Sequence, residues 1–323
     1  IAAKKEREPM IHGSTRNRTP RRLAPGTAMW VILLVLAVMM AFAPRAAYAS
    51  DQAQEAPSLK AGASQFVFDD WAGPSLPVYT YVPKGIDVAS APIVIVMHGA
   101  SRDPDRYRDQ WIKPAEKGGF IVVAPGFSKA DFPKSSRYNL GGVFRSKFTR
   151  KRDEEQWAFS AIEPLFDDVV ARLGGSQARY TIYGHSAGSQ FVHRFLFFKP
   201  NARVKRYIAA NAGWYTFADP AIALPYGLKD AGIDEGALEA ALAKDMVVLL
   251  GDKDIDPKGR NLRQTPEAAL QGPYRYARGQ AFYAAARSYA QSKGWDFGWS
   301  LRFVEGVAHS NGGMAPAAAT LVR

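Results

Sequence analysis

From residue 65 onward, short apolar runs alternate with longer stretches whose apolar positions recur every three or four residues. This is the pattern of helices packed on a mostly parallel sheet. Strands are predicted at 65–68, 78–82, 93–97, 120–124, 180–183, 204–210, 246–250 and 301–304. The first two read as an antiparallel opening. The runs at 93–97 and 120–124 are apolar at every position, as strands covered on both faces are. Helices are predicted at 103–117, with Pro114 as a kink, and at 154–173, 190–198, 276–293 and 313–323. In the second of these, Trp157, Ala161, Leu165, Phe166, Val169 and Val170 share a face, and Gly174-Gly175 stops it. Residues 127–152 read as a long loop rich in Gly, Ser and basic residues, and 214–234 as an aromatic excursion containing proline. No internal repeat is visible.

The first 49 residues have a different texture. Lys4, Lys5, Arg7, Arg16, Arg18, Arg21 and Arg22 make a basic opening, 29–43 is almost wholly apolar, and Ala47-Tyr48-Ala49 supplies a small-x-small site. The three parts together read as an export signal cleaved after Ala49. A membrane anchor is the alternative, but the apolar run is short against the about 20 residues a bilayer core needs. Residues 50–63 read as a flexible leader and 64–323 as one α/β domain. The protein is therefore expected in the periplasm or outside the cell, touching the membrane only through an uncleaved signal.

The chain has 323 residues and a net charge of +12. Half of that surplus sits in 1–49. No basic stripe is interleaved with aromatics, so nucleic acid is not an expected partner. Arg145, Lys147, Arg150, Lys151 and Arg152, next to Asp153-Glu154-Glu155, read as a solvated loop, with recruitment of an anionic polymer or surface as the functional alternative. The absence of cysteine excludes disulfides, thiolate metal sites, a cysteine nucleophile and a lipoprotein anchor. No metal-ligand cluster, phosphate loop or dinucleotide fingerprint is apparent, so no metal or cofactor is expected.

The chemistry concentrates at Gly184-His185-Ser186-Ala187-Gly188, between the strand at 180–183 and the helix at 190–198. A sharp strand-to-helix turn requires residues almost without side chain around the serine, and pushes its hydroxyl out of the sheet. Serine is a poor nucleophile until a base takes its proton and a carboxylate orients that base. In the fold that carries its serine on such a turn, the order along the chain is Ser, acid, His. His309, in the loop after the last strand, is the expected base. The acid belongs in Gly251-Asp252-Lys253-Asp254-Ile255-Asp256, where Asp254 is favoured for its short turn toward the site. Asp252 and Asp256 remain as alternatives, or as acceptors for turn amides. The developing oxyanion would meet the N–H of Ala187 and that of Ala100, which follows the strand at 93–97. His98 is expected to order that loop, and His185 and His193 to be structural. Trp214 and Tyr215, with Phe217 and Tyr226, either wall an acyl or aryl pocket or pack as a surface cap.

Val96-Met97-His98-Gly99-Ala100, Tyr107 through Trp111, Trp157 through Asp167, the serine pentapeptide, Thr265 through Ala268 and Gln271-Gly272-Pro273 together resemble the α/β-hydrolase superfamily. Within it the likeness is to the secreted polyhydroxybutyrate-depolymerase and feruloyl-esterase-like branch, from about residue 65 to the end. The resemblance implies Ser186, His309 and Asp254 as nucleophile, base and acid, with no cofactor. It implies an exported serine ester hydrolase for small or oligomeric esters, since no length is left for a polymer-binding module. A serine peptidase of the same fold and a non-catalytic envelope binding protein are the alternatives.

Overall fold

Eight strands form a single sheet in the order β1-β2-β4-β3-β5-β6-β7-β8. They are β1 (Gly62–Phe68), β2 (Leu76–Val82), β3 (Ile93–Met97), β4 (Ile121–Pro125), β5 (Tyr180–His185), β6 (Val204–Ala210), β7 (Met246–Gly251) and β8 (Trp299–Val304). This is a computed structural model and describes residues 58–145 and 148–323. The expected export signal, residues 50–57 of the leader, and Lys147 lie outside the described residues. Strand β1 begins at Gly62, so the last residues assigned to the leader already pair with β2. Strands β1 and β2 are antiparallel to their neighbours and the remaining pairs are parallel.

Alternation along the central strands divides the core. Ile93, Ile95 and Met97 face one side, with Ile182, Val248 and Leu250. Val94 and Val96 face the other, with Val122, Ile208 and Leu249. Both sides are covered, which is why these runs are apolar throughout. Helices α1 (Pro104–Gly118) and α6 (Asn311–Ala319) cover the second side through Tyr107, Trp111, Met314 and Ala318. Helices α2 (Ile162–Leu173), α3 (Ala187–Phe198), α4 (Glu235–Ala243) and α5 (Arg275–Lys293) cover the first. Among the described residues no helix is long and apolar enough to cross a membrane.

Two further segments depart from expectation. The single helix expected over 154–173 is two 3-10 turns, Glu154–Gln156 and Ala158–Ala161, followed by α2. Trp157 is extended (φ −74°, ψ 140°), and Pro164, having no N–H, is tolerated only in a first helical turn. The expected loop at 127–152 contributes Phe127, Phe132, Tyr138, Val143 and Phe144 to the core. Arg102 organises its first part by donating to the carbonyls of Phe127 (2.6 Å) and Phe132 (3.0 Å).

Candidate active site

Strands β3, β5, β7 and β8 all deliver their C-terminal ends to one edge of the sheet, where open α/β sheets place their ligands. Ser186 sits between β5 and α3 at φ 59° and ψ −116°, a left-handed backbone rarely held without a functional reason. Its N–H donates to Ala210 O of β6 at 3.0 Å, anchoring the turn to the sheet. A side chain on Gly188 would place Cβ 2.0 Å from Met97 O, and one on Gly184 would meet the Gly188 carbonyl at 2.2 Å. The two glycines let α3 start directly against β3 and β5.

His309 Nε2 lies 3.1 Å from Ser186 Oγ, and His309 Nδ1 lies 2.7 Å from Asp254 Oδ2. A carboxylate only accepts, so Nδ1 carries the proton and Nε2 is left to accept from the serine hydroxyl. Asp254 is 3% exposed, and its other oxygen pairs with Arg275 Nη1 at 3.3 Å. Arg275 is also buried and donates from Nη2 to Arg260 O at 2.6 Å. The two rival aspartates serve turns: Asp252 accepts from Gly306 N and Asp256 from Lys258 N, both at 2.8 Å. Asn211 steadies the approach of His309, accepting from Gly251 N (2.9 Å) and donating to Ala308 O (3.4 Å). Arg275 and Asn211 carry no local motif and were not singled out from sequence.

His98 orders the β3 loop, as expected. Its Nε2 accepts from Phe127 N at 3.0 Å, so Nδ1 donates to Gly99 O at 3.0 Å. Burial pulls its pKa down to about 3, which keeps this neutral tautomer. Tyr138 Oη donates to His98 O at 2.7 Å. Ala100 follows on the cavity wall, and Ala187 opens α3, where the first N–H groups have no intrahelical acceptor. His193 is structural, bonding Ser189 O and Thr216 N. His185 is buried too, but its ring lies against His309 and its Nδ1 is 3.1 Å from Tyr107 Oη.

Two clefts meet at Ser186. One, of about 470 Å³, is bordered by His309, Ser310, Tyr107, Arg106, Lys253 and Arg260. The other, of about 540 Å³, is bordered by Ala187, Trp214, Arg102, Lys129, Lys134 and Arg263, with no acidic residue in its wall. Trp214 borders this second cleft. Tyr215 does not: it is 0% exposed. Its ring is claimed by the core, stacked on Phe282 at 4.5 Å, while Gln271 brackets its backbone. Phe217 packs toward Phe282, and Tyr226 against Trp214.

No family model matches the chain, and no curated protein matches its sequence. Solved structures do. The chain is 47% identical to poly(aspartic acid) hydrolase-1 from Sphingomonas sp. KT-1, with a TM-score of 0.79 over 82% of this chain and 99% of that one. It is 34% identical to the poly(3-hydroxybutyrate) depolymerase LpqC from Bordetella parapertussis, with a TM-score of 0.76 over 81% and 90% of the two chains. An S-formylglutathione hydrolase from Agrobacterium tumefaciens shares the fold at 17% identity and a TM-score of 0.52, over 82% and 95%. The chain belongs to the α/β-hydrolase superfamily, in the branch that holds the poly(aspartic acid) hydrolase and the poly(3-hydroxybutyrate) depolymerase, and is an esterase-like hydrolase.

Proposed function

We propose that the protein is a serine hydrolase of carboxylate-bearing oligomers, with poly(aspartic acid) as the first substrate to test. Ser186 attacks the carbonyl as His309 takes its proton, and Asp254 holds the resulting imidazolium. The N–H groups of Ala100 and Ala187 receive the oxyanion. His309 then protonates the departing amine or alcohol, and water, activated by the same imidazole, releases the acid and restores Ser186.

The observation that carries the choice of substrate is the charge of the walls. Arg102, Lys129, Lys134 and Arg263 line one side of Ser186 without a carboxylate, and on the other Arg106, Lys253, Arg260 and Arg275 outnumber Asp254 and Asp256. Such a field concentrates a polyanion and gives a neutral polyester no advantage. The 47% identity to a poly(aspartic acid) hydrolase supports the same choice. It also favours the amide-cleaving reading over the simple ester one. The 34% identity to a depolymerase keeps ester cleavage as the second reading.

The test is release of new amines from poly(aspartic acid) beside hydrolysis of hydroxybutyrate oligomers, with Ser186→Ala in parallel. Faster cleavage of the polyanion, lost in the variant, supports the proposal. Cleavage of the polyester alone replaces it with the second reading, and failure to label with a fluorophosphonate favours a binding protein. Export directed by residues 1–49 is part of the proposal, checked by the N-terminal sequence of the secreted or periplasmic protein.

A further inference from the structure

The two clefts are not equivalent. His309 has to protonate the leaving atom, so the leaving half of a substrate lies in the cleft bordered by His309, Ser310 and Lys253. The acyl half then passes Ala187 and enters the cleft bordered by Trp214 and Arg263.

That acyl cleft has a built cationic wall. The guanidinium carbons of Arg194 and Arg263 lie 4.1 Å and 4.5 Å from the centre of the Trp214 ring. Arg194 is 1% exposed. Its bonds go to neutral oxygens: Thr216 Oγ1 at 2.7 Å, Gln190 O at 2.9 Å and Asn139 O at 3.2 Å. Its Nη2 and the Nε of Arg263 are buried without a hydrogen-bond partner. Among the described residues no carboxylate pairs with Arg194 or Arg263. Two cations held together in a poorly solvated wall, with no counter-charge of their own, are stabilised by an anion that arrives with the substrate. Arg263, half-buried and on the cleft wall, is the group able to meet that anion directly. Arg194, buried against the same ring and absent from the cleft wall, adds charge without reaching the anion.

The geometry points to a carboxylate subsite on the acyl side, formed by Arg263 over Trp214 and supported by the buried Arg194 against the same ring, which selects substrates whose acyl half carries an anion. It rests on the triad reading above and adds to it a direction: charge on the acyl half is recognised, and charge on the leaving half is not recognised by this pair.

Three chromogenic esters test it: mono-4-nitrophenyl adipate, 4-nitrophenyl hexanoate of matched length, and 3-carboxy-4-nitrophenyl hexanoate, whose charge leaves with the phenol. The wild type is expected to prefer adipate over hexanoate in kcat/KM. Arg263→Gln is expected to lower that preference about tenfold or more, the loss of one charge-assisted hydrogen bond. Arg263→Lys, which keeps a point charge without the fork, retains part of it. The ratio of the carboxy-nitrophenyl ester to hexanoate stays within about twofold in Arg263→Gln, because that charge lies in the other cleft.

Equal wild-type rates on adipate and hexanoate overturn the subsite, and this holds even if the variant does not fold. An equal loss on the leaving-group anion overturns its sidedness. Turnover that survives Ser186→Ala, or no turnover of any ester by the wild type, overturns the triad reading and the subsite with it.

Discussion

The imidazole of His185 lies against that of His309, with ring centroids 4.6 Å apart and 35° between the planes. Burial, and then the proximity of His309, hold the pKa of His185 well below the usual histidine value. On the proposed triad, a neutral ring is thereby packed on the one that becomes charged during turnover. A second imidazolium there would oppose the first.

Tyr107 holds His185 in that position, its hydroxyl 3.1 Å from Nδ1. Tyr107→Phe leaves a buried imidazole nitrogen unpaired, at a cost of about 1–3 kcal/mol. The expected result is a stability loss in that range and a kcat lower by about tenfold with little change in KM, since a misplaced base is felt in the transition state. Urea titration and steady-state kinetics on one ester measure both. An unchanged kcat would show that the tyrosine serves stability alone.

Asp254 and Asp252 are two residues apart and predict opposite outcomes. Asp254→Asn removes the acceptor that fixes the tautomer of His309, and kcat should fall by about 10⁴-fold. Asp252→Asn touches only the Gly306 amide. It should cost a few tenths of a kcal/mol in stability and leave kcat within about twofold. Comparable losses in the two variants would contradict the assignment.

Three buried histidines should make stability fall with acid. His98 titrates at about 3, and His185 and His193 well below their ordinary value, all mainly because burial disfavours the charged ring. In the unfolded chain each takes up a proton near pH 6.5 while the folded ring stays neutral. Their contribution is therefore complete above pH 6.5 and is lost as pH falls below it, by about 1.4 kcal/mol per unit for each ring. Urea unfolding at pH 7.5, 6.5 and 5.5 reads this slope. A flat profile would mean that the rings are protonated in the folded protein.

Gly188→Ala should be far worse than a methyl group suggests. The added carbon would sit 2.0 Å from a backbone oxygen of β3, and neither strand nor helix has room to yield. Overpacking of this kind costs about 1–3 kcal/mol or more. Here it also displaces Ser186, so activity should disappear before the fold does. Circular dichroism of a folded but inactive variant is the expected observation.

The central strands were legible because both faces of the sheet are buried and the runs at 93–97 and 120–124 are apolar throughout. The elbow was legible because glycine is required on both sides of Ser186. The order Ser186, Asp254, His309 followed from the order of strands, and the structure brings these three side chains into one chain of hydrogen bonds. Helix α4 was not legible, since its alanine-rich sequence has only Leu238, Ala241 and Leu242 buried. Tyr215 misled because aromatic character does not say whether a ring faces a cleft or the core behind it. Arg275, Asn211 and Arg194 were missed because their meaning comes from partners 21, 97 and 55 residues away.

Arg102 draws two unrelated demands onto one side chain. Its guanidinium gathers the carbonyls of Phe127, Ser128, Phe132 and Lys134, and it lies over the Tyr138 ring. Every one of those partners is neutral, so its whole charge remains available to the cleft it borders. The fastener of the loop and a source of the cleft's attraction are the same atoms. On the proposed reading, a lineage drifting toward neutral substrates would therefore have to rebuild the loop before it could shed this charge.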